Sequence, residues 1–239
     1  MPTPRIASLF HRLTLPWLLG LLLSACASVD HSAQVPRSGL VRWQGDQALL
    51  AVPLAEQVAR VRQRLFGAAA LELPLRIDGS RAINAFARRM PKGGYEIVLN
   101  AGLLDMVGYD GDQLAFVVAH EISHVALGHL SDAQIAARRR QSSTVDLLSM
   151  LADIVVPLSG LALSAGHAMQ EAGYSREQEI AADAGGVALM RRAGFDAEGA
   201  LRFQRTLLRV SNPSQLNLFS SHPPGAERLA ALEQAVRTP

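Results

Sequence analysis

Cysteine is nearly missing from this chain. Cys26 is the single thiol in 239 residues, so no internal disulfide can form. There is also no uninterrupted apolar run of the roughly 20 residues that a membrane-spanning helix needs. The most apolar stretch near the start, LTLPWLLGLLL from Leu13 to Leu23, has 11 residues. A second, VDLLSMLADIVVPLSGLALSAG over 145–166, is broken by Asp146, Asp153, Pro157 and Gly160, which argue against a span. An excess of charge is lacking too. The formal net charge is +2, and without Arg5 and Arg12 of the leader the chain carries 21 basic and 21 acidic residues. That balance gives a nucleic-acid partner no electrostatic support. The triplet Arg138 to Arg140 ends a helical pattern and reads as a solvated helix end. The length fits one well-buried domain rather than two.

What is present begins with an export signal. Arg5 and Arg12 with the short apolar run read as a secretory signal over residues 1–25. It ends in Leu23-Ser24-Ala25-Cys26, which resembles the lipobox of bacterial lipoproteins. The resemblance implies cleavage before Cys26 and a diacylglycerol on its thiol, a purpose for the lone cysteine. Each buried acyl methylene is worth about 0.8 kcal/mol of membrane anchoring. Ala27 stands where an aspartate would favour inner-membrane retention, so the expected location is the periplasmic face of the outer membrane. Residues 26–52 show no sustained period and read as the lipidated N-terminus and a tether. The domain proper is expected over 53–239.

That domain opens with PLAEQVARVRQRLF, where proline suits a first helical turn and Leu54, Val58, Val61 and Leu65 share one face. LPLRID (73–78), AINAFA (82–87) and YEIVLN (95–100) read as three short strands, the last preceded by the turn residues PKGG. Asp110 can cap the next helix, with Gln113 three residues on completing a capping box. The run LAFVVAHEISHVALGHL is apolar almost all round and is therefore buried on most faces.

His120 and His124 lie at i and i+4 of that helix, stacked on one face, with Glu121 beside them. Two histidines and a glutamate in a buried helix are costly without a partner. A cation supplies one: zinc favours imidazole nitrogen in a tetrahedral set, and H-E-x-x-H gives two ligands plus a carboxylate able to act on water at the metal. The metzincin pattern is excluded, because Leu127 and Leu130 stand where it needs Gly and His. His129 is nine residues beyond His120, on the other side of a continued helix, and reads as a structural hydrogen-bonding residue. The third ligand is sought in SREQEIAADAGGVALM, Ser175 to Met190. Ser175 and Gln178 form a second capping box, and Glu179 and Asp183 again sit at i and i+4. Small residues at 181, 182 and 184–186 let this helix approach the first closely.

In order along the chain, INAFA, GGYEIVLNAGLL, HEISHVALGH, SREQEIAAD and SHPPGAERLAAL resemble the HtpX-like zinc metallopeptidases, the family of the CAAX prenyl proteases, over roughly residues 53 to 236. The lipoprotein branch of that family is the nearest match. The resemblance implies an α+β, mainly helical, zincin-type metallopeptidase domain with a small three-stranded sheet and an active-site helix. It also implies one Zn2+ per chain held by His120, His124 and Glu179, with Glu121 as general base and Asp183 orienting a ligand. By the same resemblance His222 lies near the metal, either donating to the developing oxyanion or filling zinc's fourth position and blocking it. The multiple membrane helices and C-terminal repeats of some relatives are not matched.

A peptide substrate must be held extended, and β-pairing with YEIVLN makes Tyr95, Glu96, Ile97 and Val98 the expected substrate-binding residues. Such backbone pairing is weakly selective. It suits an endopeptidase that cuts misfolded or unassembled envelope proteins, with the outer-membrane assembly machinery as a further partner. The alternative is a chaperone or assembly lipoprotein that keeps the zinc fold and works by binding alone. The 145–166 segment is expected to complete the core or cover the active site rather than dip into the membrane.

Overall fold

The structure, a computed structural model, describes residues 37–134, 136, 173–209, 222 and 225–238. Cys26, the Arg138 to Arg140 triplet and the 145–166 segment lie outside the described residues.

Strands β1 (Val41–Gln44) and β2 (Gln47–Leu50) form an antiparallel hairpin. The tether expected over 26–52 therefore does not extend through its last part. Leu40 and Val41 are buried in the main core, and Ser38 donates its amide to the Asp105 carbonyl and its hydroxyl to Asp105 Oδ1. Four-residue strands carry too few alternations for a period to show in sequence. Helix α1 (Val52–Ala69) follows with Pro53 in its first turn and with Leu54, Val58, Val61 and Leu65 all buried, the face its spacing predicts.

The next three strands are β3 (Leu75–Asp78), β4 (Ala85–Arg89) and β5 (Tyr95–Asn100), in the spatial order β3-β5-β4. β5 pairs parallel with β3, Leu75 opposite Ile97, and antiparallel with β4, Ala87 opposite Ile97. This corrects the expectation that Tyr95, Glu96, Ile97 and Val98 border a free edge: both edges of β5 are already used. Composition explains the order. Residues 96–100 are buried without a break, as suits a strand enclosed on both faces, whereas β4 ends in Arg88 and Arg89, charges typical of an edge.

Helix α2 (Ala101–Val107) leads into α3 (Gly111–Ala126), which carries the H-E-x-x-H residues. The Asp110 carboxylate caps α3 by accepting the Gln113 amide at 3.1 Å. The Gln113 side chain donates to the same carboxylate rather than reaching back to the Asp110 backbone, so the reciprocal box expected there is not formed. Every residue from Leu114 to His124 is buried. Helix α4 (Arg176–Arg192) starts with the expected Ser175/Gln178 box, both halves present. It lies close against α3 because a Cβ on Gly185 would meet Ser123 Oγ at 2.8 Å and one on Gly186 would meet the His120 backbone nitrogen at 3.2 Å.

Helix α5 (Glu198–Arg209) covers the start of α3, where Arg202 donates to Asp110, Asp112 and Asp196. Helix α6 (Ala226–Arg237) packs on α4, and Arg191 donates to the carbonyls of Ala235 and Val236 in its last turn. The domain is thus mainly helical, with the small sheet and α4 flanking the H-E-x-x-H helix. Among the described residues no helix is long and apolar enough to cross a membrane.

Candidate metal centre

Close packing of α3 on α4 brings His120, His124 and Glu179 together, and His222 closes the group ahead of α6. One ligand atom from each of the four lies within 4.8 Å of all the others, and all four residues are buried. His120 Nε2 stands 3.0 Å from His124 Nε2 and 3.2 Å from His222 Nδ1. Glu179 Oε1 stands 2.9 Å from His222 Nδ1 and 3.4 Å from His124 Nε2, and Glu179 Oε2 is 3.6 Å from His120 Nε2.

These separations test whether the residues fit a metal. Four ligands at about 2.0–2.1 Å around a tetrahedral zinc lie about 3.3 Å from one another, and the observed spacings scatter around that edge. Hydrogen bonding alone cannot account for them. His120 Nε2 has one lone pair or one proton, yet two ring nitrogens and a carboxylate oxygen converge on it. The residues fit zinc.

The far sides of the rings are also held. His120 Nδ1 lies 2.9 Å from Asp183 Oδ1, which keeps the proton on Nδ1 and turns the Nε2 lone pair inward. His124 Nδ1 lies 2.9 Å from His129 Nδ1. The helix ends at Ala126 and the following turn folds His129 back, so the hydrogen bond expected of His129 is made beside the site rather than across the helix. Tyr174 stacks on the His124 ring, centroids 3.7 Å apart.

Charge follows from this geometry. Burial, assisted by His120 and His222, lowers the His124 pKa to about 2 despite Glu179, so the ring is neutral and able to ligate. Burial alone would raise Glu179, but hydrogen bonds from His124 and His222 hold it far below the usual carboxylate range. Asp183 is likewise lowered, Arg228 and His120 outweighing burial. Glu121 is raised, chiefly by burial. Burial opposes protonation of His222, yet the Glu121 and Glu179 carboxylates raise it.

Glu121 points into the same space. Its Oε2 accepts the backbone N–H of Ala87 on β4 at 2.8 Å, and its Oε1 is 3.3 Å from His222 Nε2. His120, Glu121, His124, Glu179, Asp183 and His222 are therefore all brought together, whereas Tyr95 to Val98 sit on the enclosed strand.

Sequence reasoning missed Arg228. It is 7% exposed and donates to Asp183 from both Nε and Nη2, at 2.6 and 2.9 Å. The signal was available, since Arg228, Leu232 and Val236, the buried residues of α6, are four apart and an arginine on an apolar stripe needs a buried acid.

A mainly helical α+β domain with a buried three-histidine, one-glutamate cluster is the zincin type of metallopeptidase fold. The model of peptidase family M48 matches residues 54–236, and the chain belongs to that family. Over 129 residues it is 37% identical to a protein of Vibrio cholerae named putative beta-barrel assembly-enhancing protease, covering 52% of this chain and 26% of the relative. Two Escherichia coli K12 proteins are also similar. Metalloprotease YcaL is 33% identical over 134 residues, 54% of this chain and 50% of its own length. Metalloprotease LoiP is 30% identical over 150 residues, 62% of this chain and 57% of its own. The chain thus spans between about a quarter and three-fifths of these relatives.

Proposed function

We propose that the protein is a zinc-dependent endopeptidase of the bacterial envelope, holding one zinc through His120, His124 and Glu179 and cleaving misfolded or unassembled envelope proteins. The observation that carries this reading is the placing of four ligand atoms within 4.8 Å of one another with the Glu121 carboxylate alongside. When bound, zinc acts as a Lewis acid toward a carbonyl oxygen and makes water acidic near neutral pH.

The chain's own residues supply the rest. Glu121 takes the proton of the attacking water and delivers it to the departing amine. Its N–H···O contact with Ala87 fixes the carboxylate relative to β4. Because the Ala87 N–H faces Glu121 rather than β5, the outward peptide groups of β4 are those of 85, 87 and 89. An extended peptide pairs there, on the edge strand, in place of the expected β5 site. Asp183 keeps His120 Nε2 turned inward. His222 Nδ1 fills the fourth corner of the donor set, so the arrangement is a resting one in which His222 must move aside for water to enter.

Substrate and location rest on the relatives and on the start of the chain. Two similar proteins, from Vibrio cholerae and Escherichia coli O157:H7, bear the name beta-barrel assembly-enhancing protease, which supports work on envelope proteins beside the outer-membrane assembly machinery. The signal at 1–25 and the lipobox-like Leu23 to Cys26 support a lipid anchor at Cys26 in the outer membrane, on the periplasmic face.

The deciding experiment measures zinc content and casein cleavage for the native chain and Glu121→Gln. Zinc at one equivalent in both, with cleavage lost only in the variant, is expected. Equal cleavage would remove Glu121 from the reaction, and zinc binding without cleavage of any unfolded substrate by both the native chain and His222→Ala would favour the binding-only alternative.

A further inference from the structure

A buried arginine is costly unless its donors are met by charge and geometry together. Arg228 meets both conditions, contacting both oxygens of Asp183 and the second oxygen of Glu179. Its Nε and Nη2 bind the two oxygens of Asp183 side by side, the bidentate fit that a planar guanidinium allows and an ammonium does not. Its Nη1 lies 2.6 Å from Glu179 Oε2 and 3.5 Å from the His222 carbonyl.

Each contact has a consequence at the donor set. With Oε2 engaged by Arg228, Glu179 turns Oε1 toward His222 Nδ1 and His124 Nε2. With both its oxygens held, Asp183 is fixed where Oδ1 faces His120 Nδ1. The cation also offsets two carboxylates that share one buried space. We propose that Arg228 is a positioning residue of the metal centre: it confines Glu179 to one ligating oxygen, locks Asp183 against His120 and ties the His222 carbonyl and α6 to both. This rests on the metal-centre reading above. A purely structural role, in which Arg228 only pins α6 to α4, makes a different prediction, because it leaves metal affinity and coordination untouched once the chain is folded.

The test uses the full chain as native protein, Arg228→Met, Arg228→Lys and Arg228→Ala. Zinc affinity is read by competition with a chromophoric chelator, and coordination by the visible spectrum of the cobalt(II)-loaded protein. In Arg228→Met zinc affinity should fall by about 10 to 100-fold, and the cobalt bands should weaken as Glu179 swings to a two-oxygen contact. Arg228→Lys, which keeps charge without the fork, should fall between native and Met. Added guanidinium ion should restore part of the affinity of Arg228→Ala but not of Arg228→Met, where the side chain fills the space. Folded Met and Lys variants with zinc affinity within about twofold of native and an unchanged cobalt spectrum would overturn the proposal. If Met and Ala do not fold, Lys decides it by the same measurements. A native chain without zinc affinity would instead remove the metal-centre reading itself.

Discussion

The amide of Ala87 donates to Glu121 Oε2 across 2.8 Å, joining the edge strand of the sheet to the acid of the H-E-x-x-H helix. The carboxylate is thereby held at a set distance from β4 and from any peptide laid along it. Glu121→Asp keeps a carboxylate but is one methylene short of this contact. It should retain zinc and lose about 10²-fold in kcat, the effect of misplacing a reacting group by about 1 Å. Single-turnover cleavage of a fluorogenic peptide measures this, and a near-native kcat would mean that the Ala87 contact does not place the base.

The two acids of α4 should separate in a zinc titration. Glu179→Gln removes the one anionic donor, whose charge the site already stabilises, and zinc binding should fall below the range of a chelator assay. Asp183→Asn leaves the ligand set whole and weakens only the hold on His120, so a loss of about 10 to 100-fold is expected. The reverse ranking would exchange their roles.

Much of this was legible in the sequence for a physical reason: the groups concerned are local. His120 with His124, Glu179 with Asp183, and Ser175 with Gln178 each meet across one helical turn, a spacing fixed by backbone geometry. The small residues of α4 announced a close helix contact, which Gly185 and Gly186 make against Ser123 and His120. What was not legible depends on distant pairing. Strand order is not written in any one strand, which is why β5 reads as the edge that β4 provides. The β1–β2 hairpin is too short to show a period. Arg228 meets Asp183 across 45 residues, and only the apolar stripe around it hinted at a buried partner.

Stability should depend on acid through the start of α3. Burial would raise Asp110, but Arg202 and Gln113 outweigh it and depress the pKa from 3.8 to about 2. A depressed carboxylate contributes stability that is complete above its unfolded pKa and lost as pH falls toward the folded value. Arg202 is partly exposed, so solvent screening limits the contribution to about 1 kcal/mol. Arg202→Met should therefore be less stable than native in urea unfolding at pH 7, with the gap closing between about pH 4 and pH 2. A gap that stays constant over that interval would assign the loss to packing.

The proposed anchor gives a simple fractionation result. Cys26→Ser removes the acylation site, so the full-length protein should move from the membrane pellet to the soluble periplasm, because acyl burial at about 0.8 kcal/mol per methylene is lost. Retention in the pellet after a high-salt wash would place the membrane contact elsewhere in the chain.

His222 carries the strongest expectation about control. Its Nδ1 stands at ligand spacing from His120 Nε2 and Glu179 Oε1, and its Nε2 faces Glu121, so one ring covers both the fourth corner and the base. Water needs that corner, and the base needs water within reach. On the proposed reading, His222 in place denies both conditions and holds the resting site closed. His222→Ala should open it: initial rates of casein cleavage should rise above native, while zinc affinity falls modestly because three donors remain. An oxyanion-stabilising role alone predicts the opposite, a drop of about 10² or more in turnover with zinc retained. Initial rates with zinc occupancy measured on the same samples separate the two, and a slower, fully zinc-loaded variant would reject the closed-site account.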